Sequence, residues 1–256
     1  MHKKTINHTF FILLAALLVS CSGNQQAEIE AASEKSAPSA TADQGTVAPE
    51  ATVVESVPCY LPLAAPDDWE VVLCETFDNN AKGWDVEVQD NEYSVYTSAI
   101  IDGKFVVDYQ AKGFAGFQRT ALTWFPIGDE KNFALSLKGS MDDTYQDASW
   151  GIAFRGDKDS FFLFSITNKG TYAFEIYENA GWIPLISPKS FNGIRLGEEN
   201  TLRIEAVGQD FFFSINGTTV NNFSGGLLEG SEILLIVSAK EGVSTRFAFD
   251  DVVLQR

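Results

Sequence analysis

The sequence predicts an all-β domain in which two antiparallel sheets stack as a sandwich. Residues 105–110, 133–138 and 202–207 alternate between apolar and polar side chains, and this period of two marks half-buried strands. No convincing amphipathic helix follows residue 70. Other runs are apolar on both faces, as expected of inner strands in stacked sheets: residues 150–154, 161–166, 211–213 and 233–237.

Turn-forming residues separate these runs. Asp102-Gly103 precedes one strand, and Asn216-Gly217 between two strand-like runs predicts a tight hairpin. Residues 156–160 and Asn168-Lys169-Gly170 predict two further hairpins. The spacing of these runs predicts roughly eleven to thirteen strands, which favours a large sandwich or jelly roll over a seven-strand immunoglobulin type.

Lys3 and Lys4 precede an apolar run at 10–19, which leads into Leu18-Val19-Ser20-Cys21. The first 20 residues therefore resemble the signal peptide of a bacterial lipoprotein, and Leu18-Val19-Ser20-Cys21 is similar to the lipobox. A run of about ten residues is too short to span a membrane. The resemblance implies cleavage before Cys21, lipid and palmitate on this residue, and a membrane-anchored protein. The alternative is an ordinary secretory signal followed by a chance cysteine.

Residues 21–57 form the lipidated cysteine and a linker, and residues 58–256 form the sandwich domain. The linker is rich in Ala, Ser, Glu, Thr and Pro and has no aromatic residue, so it cannot bury enough apolar surface to fold. We expect a disordered spacer. Ser22 replaces the Asp that retains some lipoproteins at the inner membrane, which favours the outer membrane where a cell has two.

Cys59 and Cys74 remain once Cys21 is lipidated, and an exported compartment is oxidising. We expect them to form a disulfide. Closing a loop of about 15 residues contributes about 3 kcal/mol in the chain-entropy model. Two free, partly buried thiols are the alternative.

Charge and histidine content exclude several functions. The formal net charge of the chain is −17 without a basic cluster, which excludes a nucleic-acid partner. Both histidines, His2 and His8, lie in the signal peptide. Triads of Ser, His and Asp, imidazole bases and His-ligated metals are therefore excluded from the mature protein.

Several short segments of the chain match a known pattern: residues 77–84, 102–105, 151–155, 161–166, 181–182, 200–204, 213–217 and 249–252. With them, residues from about 75 to 254 resemble bacterial concanavalin A-like lectin/glucanase domains, which are kin to laminin G-like and 3-keto-disaccharide hydrolase sandwiches. The resemblance implies a concanavalin A-like jelly roll. It does not choose between binding and catalysis, because members include both carbohydrate binders and hydrolases.

Catalysis by two carboxylates has little support in the sequence. The glucanases of this family carry Glu-x-Asp-x-x-Glu on one strand, whereas Glu175-Ile176-Tyr177-Glu178 lacks the central Asp. Its two glutamates are three residues apart and should face opposite sides of a strand. We assign no catalytic residue, and the sequence leaves open whether the protein is an enzyme.

Aromatic residues at strand ends or loops offer better candidates for ligand contacts, because sugar rings stack on them. Each could instead pack in the core. Arg155 could bind a ligand carboxylate or hydroxyl, although pairing with Asp157 or Asp159 is the stronger expectation. The aromatic candidates are Trp124, Tyr145, Trp150 and Trp182, of which Gly181-Trp182 is expected in an exposed turn.

No cofactor is expected, apart from an open question over a structural calcium ion. Asp142, Asp143 and Asp147 form one acidic group, and Asp250 with Asp251 forms another. Oxygen ligands of this kind suit calcium, but neither group has the spacing of a defined calcium loop. The metal site is therefore undetermined.

These observations predict an envelope lipoprotein whose sandwich binds carbohydrate or another envelope ligand. One alternative is a glycoside or 3-keto-sugar hydrolase that uses carboxylates or a bound cation. Another is a scaffold for protein interaction. The membrane is a partner through the lipid anchor, a glycan is the expected ligand, and the oligomeric state is undetermined.

Overall fold

The structure is a computed structural model that describes residues 69–113, 117–122, 131–142, 144, 147–157, 159–226, 228 and 230–256, with the backbone alone at 117–122. The chain divides into two units, Met1–Val54 and Glu55–Arg256, and all described residues belong to the second. The signal peptide, the linker, Cys21 and Cys59 lie outside the described residues, so the expectations for them stay predictions.

The described residues form strands and turns without an α-helix. None of them therefore belongs to a helix that could cross a membrane. The strands are β1 (Val71–Glu75), β2 (Val88–Asp90), β3 (Ser94–Ile101), β4 (Lys104–Ala111), β5 (Phe117–Leu122), β6 (Asn132–Met141), β7 (Ala148–Gly156), β8 (Phe161–Thr167), β9 (Thr171–Glu178), β10 (Gly181–Ser190), β11 (Asn200–Val207), β12 (Asp210–Ile215), β13 (Thr218–Ser224), β14 (Glu232–Ala239) and β15 (Ser244–Gln255).

These strands make two antiparallel sheets, which confirms the predicted sandwich. Among the described residues, one sheet has nine strands in the order β13-β12-β11-β6-β15-β4-β3-β2, with β1 also paired to β15. The other has six strands in the order β10-β9-β8-β7-β14-β5. Consecutive hairpins build β7 to β10 in the six-stranded sheet and β11 to β13 in the nine-stranded sheet.

The predicted hairpins are confirmed, whereas the predicted number of strands was too low. Asn216 and Gly217 join β12 to β13, and both have positive φ, at 50° and 80°. The described residues form 15 strands. β2 has three residues, too few to show a period. β10 contains Pro184 and Pro188, which weaken a strand pattern but are tolerated on an edge strand.

Phenylalanine side chains from both sheets fill the space between them. Phe154 and Phe174 of the six-stranded sheet lie against Phe211 and Phe213 of the nine-stranded sheet, and all four are fully buried. The ring centroids of Phe154 and Phe211 are 5.6 Å apart, and those of Phe174 and Phe213 are 4.5 Å apart. Each such pair adds about 0.5–1.5 kcal/mol beyond the burial of its area.

Trp150 also belongs to this interior. Its side chain is 1% exposed, and its ring meets Phe249 edge-on at 5.6 Å. Gly139 on β6 leaves the necessary room, because a Cβ there would lie 2.8 Å from the Trp150 ring and 2.9 Å from Phe249. The indole therefore fills a space that the facing strand keeps clear.

A second aromatic group closes the corner after β1. The rings of Phe77, Trp84 and Phe105 lie with centroids 5.1–5.7 Å apart. The buried Glu75 carboxylate accepts hydrogen bonds from Trp84 Nε1 at 2.9 Å and from the Phe77 amide at 2.8 Å. This polar contact fixes the loop that carries the Phe77-Asp78 and Gly83-Trp84 dipeptides.

Replacing Trp150 by Ala should destabilise the fold by about 3–5 kcal/mol, because removal of this large buried side chain leaves a cavity in the core. Urea unfolding followed by circular dichroism measures the change. Trp182→Ala is the matched control, since Trp182 is 38% exposed and its removal should have a much smaller effect. Equal losses in the two variants would contradict the assignment of Trp150 to the core.

Candidate functional site

The outer face of the six-stranded sheet carries an exposed aromatic group at the β10 edge. Tyr177 on β9 lies directly opposite Trp182 on β10 and Phe161 on β8. Because paired positions share a face, the three rings stand side by side across three strands. We call Phe161, Tyr177 and Trp182 the aromatic ledge.

The three rings support one another. Phe161 and Tyr177 are nearly parallel, with centroids 5.1 Å apart and planes at 23°. Trp182 lies 5.0 Å from Tyr177 and 5.7 Å from Phe161. Phe161 is fully buried, Tyr177 is half-buried and Trp182 is 38% exposed. The ledge thus has a fixed base and an indole that reaches solvent.

Glu175 lies on the same face, two residues before Tyr177. Its register partners are Pro184 on β10 and Leu163 on β8, so apolar side chains flank it. Burial raises the pKa of the Glu175 carboxyl. The carboxyl has no hydrogen-bond or ion-pair partner among the described residues. It is therefore available to accept hydrogen bonds from a ligand.

The centre of the same face is apolar. Ala153, Leu163, Leu234 and Ile236 are each 5% exposed or less, and they form one buried cluster with Phe161. Among the described side chains around Glu175, the register positions hold no second carboxylate. The arrangement of Trp182 and Glu175 can stack a ring and accept hydroxyl hydrogens.

The candidate aromatic residues have different positions. Trp182 is exposed as expected, although it lies in β10 and not in the turn, since Asn179 and Ala180 form the turn with positive φ. Trp124 and Tyr145 lie outside the described residues. Trp150 points into the core and is 1% exposed. Trp150 is therefore a core residue and not a ligand contact.

Arg155 requires a similar correction. It was expected to pair with Asp157 or Asp159 or to face a ligand, yet it is 3% exposed. A register shift and a φ of 48° turn its side chain into one end of the sandwich. Nη2 donates to the carbonyl oxygens of Lys131 at 2.8 Å and Gly208 at 3.0 Å.

The Arg155 guanidinium also lies 5.4 Å and 5.0 Å from the ring centroids of Phe133 and Phe211. Burial lowers the pKa of Arg155. These contacts give Arg155 a structural role that joins β6, β7 and the β11–β12 turn. Asp157 instead accepts hydrogen bonds from the amides of Asp159 and Ser160, both at 2.8 Å.

The two acidic groups considered for calcium already have protein partners. Asp251 forms an ion pair with Lys138, and the Asp250 carboxylate accepts the Asp251 amide at 2.8 Å. Asp147 pairs with Lys169 and lies 3.8 Å from Lys240. Asp143 lies outside the described residues. Within the described part of the chain, no three His, Cys, Asp or Glu side chains are grouped for a metal.

Phe161 and Tyr177 are site residues that the sequence pattern does not reveal. Phe161 belongs to a run that is apolar on both faces, and Tyr177 lies in the segment considered for a carboxylate pair. Only the pairing of β8, β9 and β10 shows that both side chains face outward. A usable signal was present, because a two-residue turn at 179–180 places Tyr177 opposite Trp182. The sequence indicates Glu175 only as one half of a carboxylate pair with Glu178.

Comparison with solved structures supports the concanavalin A-like fold. No protein-family model matches the chain, and no curated protein matches it significantly. SCLam, a non-specific endo-β-1,3(4)-glucanase from family GH16, is similar with a TM-score of 0.56 at 11% identity, over 77% of this chain and 94% of that one.

Two other structures extend the comparison. The laminarinase from Flavobacterium sp. UMI-01 gives a TM-score of 0.54 at 12% identity over 73% of this chain and 100% of its own. The carbohydrate-binding module CBM66 from Bacillus subtilis gives 0.50 at 16% identity over 68% and 96%. At these identities the similarity establishes the fold alone, a two-sheet concanavalin A-like sandwich.

Replacing Glu175 by Gln should raise the melting temperature at pH 7. The raised pKa means that the folded protein binds this proton more tightly than the unfolded chain. Below the ordinary carboxyl pKa, Glu175 is protonated and its burial does not oppose folding. As the pH rises through the raised pKa, the buried group becomes charged and the folded protein loses this part of its stability. The advantage of Gln should accordingly shrink as the pH falls towards 4.

Thermal unfolding between pH 4 and pH 8 measures this difference. Glu178→Gln, on the same strand, controls for the loss of one charge from an acidic protein. A variant with Glu175→Gln that is less stable than the wild type at pH 7 would show that the carboxylate has a stabilising partner.

Proposed function

We propose that this protein is a lipid-anchored glycan-binding protein of the cell envelope, whose binding surface is the aromatic ledge with Glu175. The observation that carries the proposal is the exposed Trp182 ring, held by Tyr177 and Phe161. Beside it lies the Glu175 carboxyl, which has no hydrogen-bond or ion-pair partner among the described residues. Rings supply an apolar surface for the C–H faces of a sugar, and the carboxylate accepts its hydroxyl hydrogens.

Position on the fold supports the same function. The ledge lies at the β10 edge of its sheet, where Trp182 is 38% exposed. Hydroxyl groups outside the stacked ring would remain in water, so little desolvation opposes binding. An isolated ring contact of this kind favours weak, reversible association with a repeating polymer, to which several molecules can bind in series.

We infer binding without hydrolysis. Cleavage by two carboxylates needs them about 5–10 Å apart on either side of the scissile bond. On the face that bears the ledge, the described register partners of Glu175 and Tyr177 include no second carboxylate. A glycan stacked on Trp182 would therefore meet one carboxylate acceptor, Glu175.

Anchoring in the envelope follows from the resemblance of residues 1–21 to a lipoprotein signal. The acidic chain would be repelled by anionic lipid, so attachment depends on acylation of Cys21. The linker up to residue 57 would give the sandwich freedom to reach glycan at a distance from the membrane. In a cell with two membranes, Ser22 favours the outer one.

Replacing Trp182 by Ala should weaken glycan binding about tenfold or more, which corresponds to about 1.4 kcal/mol. Several solved structures of this fold are laminarinases, so laminarin, a neutral β-1,3-glucan, is the first polymer to test. Affinity electrophoresis compares retardation of the wild type and the variant, and a wider glycan array follows if laminarin is not retained.

Phe212→Ala is the matched control, because Phe212 is 41% exposed on the nine-stranded sheet. It should bind glycan like the wild type. The proposal fails if Trp182→Ala binds as tightly as the wild type, or if the folded wild type binds no glycan on the array. Release of reducing ends that depends on Glu175 would instead identify a hydrolase.

Mass spectrometry of the protein isolated from membranes tests the cleavage of the signal peptide, the lipidation of Cys21 and the disulfide. We expect a mature chain that begins at lipidated Cys21, and a Cys21→Ala variant that leaves the membrane fraction. Under non-reducing digestion, one peptide pair should link Cys59 to Cys74. An uncleaved, unmodified amino terminus would contradict the anchor, and alkylation of both cysteines without reduction would contradict the disulfide.

A further inference from the structure

A groove crosses the outer face of the nine-stranded sheet, opposite in the sandwich to the face that bears the ledge. Two adjoining cavities of about 370 and 300 Å³ form it. Asp142 and Arg246 line both cavities, so the two are continuous. We call this the polar groove, and its polar side chains are Thr97, Asp108, Gln110, Asp142, Ser244 and Arg246.

Strand register brings these side chains together. Thr97 on β3, Asp108 on β4 and Arg246 on β15 are direct neighbours in one row. Gln110 and Ser244 are paired in the next row on the same face. The first row thus joins residues that are 11 to 149 positions apart in the chain. The second row lies about 7 Å from it, since alternate residues of a strand are separated by that distance.

An ion pair orients the central cation. Arg246 Nε donates to Asp108 Oδ1 at 2.7 Å, and Arg246 Nη2 donates to Oδ2 at 2.8 Å. This two-bond contact fixes the guanidinium plane. Within the described residues, Nη1 of Arg246 and the side chains of Thr97, Gln110 and Ser244 have no hydrogen-bond partner. Donors and acceptors with unused capacity therefore line the groove.

The charge of the groove disfavours an anionic ligand. Asp108 and Arg246 balance one another, while hydrogen bonds from Thr144 lower the pKa of Asp142. One negative charge remains, on a chain whose net charge is −17, so a polyanion would be repelled. Thr97, Gln110 and Ser244 are uncharged, so they suit the hydroxyl groups of a neutral ligand.

The floor of the groove supplies the apolar part of the site. Val95 lies in the same row as Gln110 and Ser244, and Ala248 lies one row beyond Arg246 on the same face. A neutral sugar has C–H faces for such a floor and hydroxyls that both donate and accept hydrogen bonds. Carboxylate, guanidinium, amide and hydroxyl groups are the side chains that can satisfy such hydroxyls.

We propose that the polar groove is a second site for a neutral oligosaccharide, separate from the aromatic ledge. Each molecule then presents two glycan sites on opposite faces of the sandwich. Two such sites let one protein bridge two glycan chains, or hold one flexible polymer with an affinity above that of either site.

Nuclear magnetic resonance titration of the mature chain, with Ser at position 21 in place of Cys, tests this proposal with laminarihexaose, a neutral β-1,3-linked oligosaccharide. We expect two sets of shifting amides, one around Tyr177 and Trp182 and one around Thr97, Gln110 and Ser244. Arg246→Ala should weaken binding of the groove set at least tenfold and leave the ledge set unchanged.

Two further variants separate the effect of the Arg246 charge from the effect of its planar geometry. Arg246→Lys keeps the charge but lacks the planar two-bond geometry, so it should also weaken the groove set. Lys189→Ala removes an exposed cation from the other sheet and should change neither set. Because Arg246 is 62% exposed, these substitutions should leave the fold intact, which the unshifted ledge amides report.

Absence of shifts in the groove amides at saturation of the ledge would overturn the second site and leave the proposed function standing. Shifts in the groove that persist in Arg246→Ala with unchanged affinity would also overturn it. Loss of the ledge set alone in Trp182→Ala, with the groove set retained, would support two independent sites. Shifts confined to the groove would support the second site and contradict the ledge.

Discussion

Interleaving of phenylalanine rings between two sheets is the constraint on which the structure depends. The rings of Phe154, Phe174, Phe211 and Phe213 come from both layers and leave no room for a shift of one sheet against the other. Even-numbered residues of β7 to β9 are committed to this interior. The odd-numbered residues must then face outward, and their identities decide what the outer surface can do.

This division explains why the ledge and the core have similar compositions but different roles. Phe161 and Phe162 are adjacent in the chain, yet Phe162 packs in the interior and Phe161 supports Tyr177 and Trp182 on the outer face. A one-residue change of register would exchange the two sets of side chains. The same pairing that closes the core therefore assembles the aromatic surface.

Charged groups are used differently on the two sides of the sheets. Arg155 is buried and binds two backbone carbonyls and two rings, so it stabilises the closed end of the sandwich. Arg246 is exposed to solvent and forms a two-bond ion pair with Asp108, which leaves one guanidinium nitrogen to the solvent. Burial, more than residue type, separates a structural arginine from one that can meet a ligand.

The sequence by itself determined the two-layer antiparallel fold and its hairpin turns, because periodicity and turn residues are local properties. It left open whether Trp150 and Trp182 face the core or a ligand, and it predicted neither the buried contacts of Arg155 nor the grouping of Phe161, Tyr177 and Trp182. Those depend on which strands pair, on the space left by Gly139 and on the bulge at Arg155. Only the tertiary structure brings together residues so distant in the chain.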